Sequence, residues 1–165
     1  MTNQKPARYV AFALGLSAVL VLPACSSSNA GSTRLTLKSH NSDRADLHLS
    51  PKSPSIGDEI AADGEFTGPD GAVIGHFELT SFVTREAAGR EQRIMIGEYN
   101  FGDGGDAIMI MGANDYPSGG GLPDKPLRFA VTGGVGKYAG ARGQCKDTLN
   151  GSEFTLECDL TGVKA

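Results

Sequence analysis

Reactive side chains gather near the end of the 165-residue chain, where Cys145 and Cys158 bracket the segment KDTLNGSEFTLE and Asp147 follows the first thiol by two positions. Two thiols can oxidise to a disulfide, and a carboxyl group held among apolar neighbours can keep or move a proton. Strand register decides what these three residues do. Phe154, Leu156, Cys158 and Leu160 alternate with Glu153, Thr155, Glu157 and Asp159, the period of a β-strand. A type I′ turn at Asn150 and Gly151 would pair 149 with 152 and set Cys145 against Leu156. A type II′ turn at Gly151 and Ser152 would pair 150 with 153 and set Cys145 against Cys158. Only the second register joins the cysteines, at a non-hydrogen-bonded pair whose Cα atoms lie roughly 4.5 Å apart. A Cys145–Cys158 disulfide across a hairpin is therefore expected. The same register puts Asp147 on the face of Phe154 and Leu156, either inside the fold or at its wet end.

Other constellations carry less chemistry. The stretch TGGVGKYAGARG imitates a phosphate loop, and Gly134, Gly136 and Ala139 fit the loose G-x-G-x-x-A fingerprint. That fingerprint needs a following helix, whereas this stretch runs into the disulfide strand. The Walker pattern fails as well, with Val131 at its first Gly position and Tyr138 after Lys137. A glycine-rich turn between strands is the better reading. His40, His48 and His76 lack metal-type spacing, and Asp103 and Asp106 have too few oxygen ligands after them for a calcium loop. No metal or cofactor is expected. No serine stands in a nucleophile elbow, and oxidised Cys145 forms no Cys/His pair. A formal charge of −4 without basic runs excludes a nucleic-acid surface.

The elements that hold these residues are strands. The 23 glycines amount to about twice the usual share of roughly 7%, with no G-X-Y period, which suggests many turns and excludes collagen. Strands are expected at Arg34–Ser39, Glu59–Thr67, Val73–Val83, Gln92–Phe101, Ala107–Met111, Leu127–Thr132, Arg142–Leu149 and Glu153–Leu160, with Val73, Phe77, Leu79 and Val83 on one face. Eight antiparallel strands suggest a closed barrel or a sandwich. The run AIMIM, apolar on both faces, favours a barrel with one face to the lumen and one to a covering surface. Gly112 to Pro126 is expected as a rim loop. Candidate lumen residues are Phe77, Tyr99, Met109, Phe129, Tyr138 and Phe154, the alternative being that each fills a solid core.

An address precedes the domain. Lys5 and Arg8 followed by the apolar run Val10–Leu22, too short for a roughly 30 Å membrane core, read as a secretory signal over residues 1–24. Leu22, Pro23, Ala24 and Cys25 resemble a bacterial lipobox, in which Cys25 is lipidated; the alternative is ordinary cleavage near Ala24 or Ala30. Residues 25–33 have the composition of a flexible tether, and 34–165 form the barrel domain. Loss of Lys5 and Arg8 makes the mature chain two charges more acidic. Export to the outer face of a membrane, held by the lipid, is the expected location, and it permits the disulfide.

The segments NFGDGGDAIMIMG, AVTGGVGKYAGARGQ and EFTLECDLTGV resemble, in order and spacing, the second half of allene oxide cyclases and, more distantly, dirigent proteins. The likeness covers roughly residues 94–163 and implies an eight-stranded antiparallel barrel, lipocalin-like in shape, with an apolar cavity. Both families act by holding an apolar substrate in one shape. The cyclases carry a first-strand glutamate with an asparagine two positions later. Here LTLKSHNSDR keeps Asn41 but has Ser39 at the glutamate position, and serine cannot supply that charge to a developing cation. Three readings follow: a tethered barrel binding an apolar small molecule or lipid; an isomerase or cyclase using Asn41, Tyr99, Tyr138 or Asp147; and a structural envelope protein with a solid barrel. Related barrels form dimers or trimers, so a homo-oligomer is also expected.

Overall fold

The computed structural model describes residues 31–40, 43–51 and 55–164; the signal segment, Cys25 and Asn41 lie outside them. The strands are β1 (Thr33–Ser39), β2 (Asp43–Leu47), β3 (Glu59–Thr67), β4 (Val73–Ala87), β5 (Arg90–Phe101), β6 (Asp106–Pro117), β7 (Leu127–Val135), β8 (Arg142–Asn150) and β9 (Glu153–Thr161), with one 3-10 turn at Gly136–Tyr138. They lie in the order β1-β9-β8-β7-β6-β5-β4-β3-β2, all antiparallel, and β1 also pairs with β3. β1 runs along β9 and meets β3 only at Lys38↔Thr67 and Ser39↔Phe66, after which β2 takes over β3 from Asp43↔Asp63 to Leu47↔Glu59. The two segments are halves of one bent first strand, so the closed barrel is eight-stranded.

Turn chemistry sets the hairpins. Asn150 pairs with Glu153 and Cys145 with Cys158. Gly151 has φ 64° and Ser152 has no positive φ, as a type II′ turn requires. The disulfide is formed, with Cα atoms 4.0 Å apart. Between β4 and β5, Ala88 (φ 52°) and Gly89 (φ 72°) are both left-handed, the signature of a type I′ turn, and both strands run past the ends expected from sequence. β6 likewise continues to Pro117, so the irregular rim is residues 118–126 and not Gly112–Pro126. Gly112 and Asn114 look like turn residues but serve the sheet. A Cβ on Gly112 would meet the Arg128 carbonyl. The Asn114 side chain donates to the Arg128 carbonyl (3.1 Å) and accepts from its N–H (2.8 Å), extending the β6–β7 ladder beyond its last backbone pair at Met111↔Ala130.

The glycine-rich stretch is a turn. Gly136 has φ 61°, and a Cβ there would meet the Gly105 carbonyl and the Asp106 carboxylate. The N–H of Lys137 donates to Asp106 Oδ1 at 2.8 Å, and its ammonium lies 3.3 Å from Oδ2. The loop thus cradles a carboxylate of its own chain.

One end of the barrel is plugged. Phe66 packs edge-on against Phe101 (5.1 Å between centroids), and Phe101 against Tyr138 (4.9 Å). Ile108, Ala141 and Leu160, all fully buried, complete the plug. Each large apolar side chain withdrawn from water contributes roughly 1.5–3 kcal/mol. Val73, expected to share a face with Phe77, Leu79 and Val83, is exposed at the start of β4.

Candidate functional site: the lumen mouth

Beyond the plug, toward the end where β5 begins and β6 ends, the lumen is not filled. The cavity left there has a volume of about 60 Å³. Phe77, Tyr99, Phe129 and Phe154 wall it, as expected from sequence, and Gly97 and Ala62 leave the room. Ser39, which stands where the resemblance implies a glutamate, is buried and also faces this space. Tyr138, a proposed lining residue, belongs to the plug instead. Met109 lies on the outer face, 41% exposed, because strand alternation on β6 turns Ile108 and Ile110 inward and leaves Met109 and Met111 outside.

Polar groups collect nearer the mouth. Asp147 pairs with Leu127 on one side and Leu156 on the other, and it is 8% exposed. Burial pushes its carboxyl up to about 6, a rise only partly offset by the Thr148 N–H. Its Oδ1 has no hydrogen-bond partner among the described residues. Burial, and then the Asp147 charge, raise the Tyr99 phenol far above its ordinary value. Tyr116 is raised mainly by burial, with Arg93 opposing and Asp147 and Glu91 adding, and its hydroxyl too is unpartnered among the described residues.

Glu91 and Arg93 complete the cluster, and the sequence reading missed both. They are 1% and 3% exposed. Arg93 donates from Nε to Glu91 Oε1 at 2.8 Å and from Nη2 to the same oxygen, and its guanidinium lies 4.2 Å from the centre of the Tyr116 ring. Positions 91 and 93 share parity with Tyr99 and Phe101, so the pair was readable as inward once β5 was extended to Arg90. Such a pair must be hydrogen-bonded to be tolerated inside.

A strap, residues 118–126, crosses the mouth. Gly121, Leu122 and Pro123 cover the cavity. Arg90 grips Asp124 at 2.7 and 3.0 Å, Arg44 donates to the Gly120 carbonyl at 2.9 Å, and the Ser118 N–H donates to the Gly89 carbonyl at 3.0 Å. Gly119 and Gly120 have φ of 88° and 75°, which other residues adopt only under strain. Outside the barrel, Phe82, Ile94, Ile96, Met109 and Met111 form an exposed apolar stripe across β4, β5 and β6, with Phe82↔Ile94 and Ile96↔Met111 as cross-strand pairs.

No group of His, Cys, Asp and Glu among the described residues is arranged to hold a metal ion. No protein-family model matches the chain, and no curated protein matches it. Solved structures do. The chain is similar to a pyocyanin demethylase at 21% identity and a TM-score of 0.64, covering 78% of this chain and 100% of that one. It is similar to a pterocarpan synthase dirigent protein at 15% identity and 0.62, covering 82% and 87%. It is also similar to a Diels–Alderase from Streptomyces koyangensis at 18% identity and 0.61, covering 82% and 70%. At these identities the likeness establishes the architecture, and the chain therefore has the closed antiparallel barrel that dirigent and cyclase structures share.

Proposed function

We propose that this protein is an exported, lipid-anchored barrel that binds a small molecule with an apolar body in its lumen. The observation that carries the reading is the cavity itself: aromatic walls above a solid plug, with buried polar atoms of Asp147 and Tyr116 left without partners among the described residues and a strap over the opening. A solid structural barrel would have no such space. The neighbouring structures, named for reactions of small organic molecules, support the same reading. Its volume is small beside the roughly 300–1,000 Å³ of drug-sized sites, so the ligand is compact or the strap yields to admit it. The formed disulfide and the leader pattern at Cys25 support export and anchoring. The outer apolar stripe supports a homo-oligomer.

The test uses indole, whose fluorescence is readable because the chain has no tryptophan. Saturable 1:1 binding is expected, and Gly97→Val, which puts a branched side chain beside Ile110, is expected to weaken it by about tenfold or more through lost volume. Equal affinity in both proteins, with the fold of the variant verified by circular dichroism, would remove the lumen as the binding site. A second reading, an isomerase or cyclase, draws on Asp147. A buried carboxyl with a pKa near 6 can both give and take a proton near neutral pH.

A further inference from the structure

We propose that the lumen selects a compact aromatic cation, with Asp147 as its counter-ion and the surrounding rings as its cage. The inference rests on the lumen being the binding site and names the class of ligand it takes.

Charged and titratable groups line the same space as Asp147: Arg93 and Tyr99 on β5, Tyr116 on β6, and Arg44 on β2 at the mouth, with Glu91 held by Arg93. Its direct neighbours on β7 and β9, Leu127 and Leu156, carry no charge. Both nearby cations are already engaged. Arg93 directs two nitrogens at Glu91 and lays its plane on Tyr116. Arg44 holds Asp46 at 2.8 Å and the Gly120 carbonyl at 2.9 Å. Glu91 and Arg93 cancel in net charge although Glu91 Oε2 lacks a partner, which leaves Asp147, among the described residues that line the cavity, as the carboxylate without a counter-ion, its Oδ1 unpartnered as well. A buried carboxylate is costly until a cation or donor meets it.

The walls suit the same ligand. Phe77 and Tyr99 stack at 5.8 Å, and Phe129 and Phe154 face the same space, so a cation placed there meets the negative faces of rings as well as the carboxylate. An anion would find repulsion at Asp147, with Arg93 already on Glu91 and Arg44 already on Asp46. A neutral apolar ligand would leave Asp147 without a partner.

The experiment displaces indole from the full-length protein with three matched probes: benzylammonium, benzyl alcohol and benzoate. At pH 8 benzylammonium is expected to compete at about tenfold lower concentration than benzyl alcohol, and benzoate hardly at all. The amine remains charged down to pH 5, where protonation of Asp147 should bring the ratio near one. Asp147→Asn should likewise bring the ratio near one at pH 8. The wild-type pH series reads the same effect without any substitution. Benzylammonium no better than benzyl alcohol at pH 8, while indole binds the lumen, would overturn the cation preference alone. Absence of indole binding, with no calorimetric signal for benzylammonium, would overturn the lumen reading and this inference together.

Discussion

Asp147 is a residue that folding makes harder to ionise. Its carboxyl ordinarily loses its proton near pH 4 and in the folded barrel does so at about 6. Between those values the native state holds more protons than the unfolded chain, so the proton's contribution to stability is complete below about pH 4 and is lost as pH rises through about 6. Asp147→Asn is therefore expected to match the wild type near pH 4 and exceed it by up to about 3 kcal/mol at pH 8, as read by urea unfolding at both values. A variant less stable than the wild type at pH 8 would mean that the carboxylate is satisfied in the fold. Asp58 titrates in the opposite sense. The N–H of Leu49 (2.8 Å) holds its carboxylate well below the usual range, with Ser55 and His48 adding to it, so its stabilisation is present above about pH 4 and is lost in acid. Placing Asp147 from sequence was possible because the disulfide pinned its register. Glu91 and Arg93 were hidden because charges are expected outside a strand, and Met109 was misplaced because AIMIM is apolar at every position, which leaves alternation without information about faces.

The hairpin of β8 and β9 shows how far a local element can be read. Two candidate turns differ by one residue, and the requirement that two cysteines meet chose between them. Replacing both cysteines by alanine is expected to destabilise the barrel by about 2–3 kcal/mol, since the closed loop is short. An unchanged urea midpoint would mean that the β8–β9 pairing alone sets this register. The strap offers a second test. Arg90→Ala breaks its exposed link to Asp124 and should speed proteolytic cutting at Gly119–Gly121 by a few-fold while leaving the urea midpoint within error. β6 runs past Met111 although Gly112 and Asn114 are turn formers by type. Their strand roles depend on Arg128, a partner on the next strand that no local pattern reveals.

At the scale of the molecule, alternation and turn clusters were enough for an eight-stranded barrel, but not for the bend that divides its first strand into β1 and β2. That bend depends on two neighbours at once, β9 and β3, and neither is local. The outer stripe is a property of the assembled sheet, since its members come from β4, β5 and β6. If it is the seam between copies, sedimentation of the full-length protein should show an oligomer that Ile96→Lys with Met111→Lys converts to monomers. A wild-type monomer at micromolar concentration would remove that assignment. Thr33 pairs with Leu160 beside the plug, and the chain climbs from there toward the strap. A leash running back from Thr33 to a lipid on Cys25 would leave the barrel at its blind end, so the bilayer would lie beneath the aromatic plug and the strapped opening would look outward, where solutes arrive from the surroundings and not from the lipid.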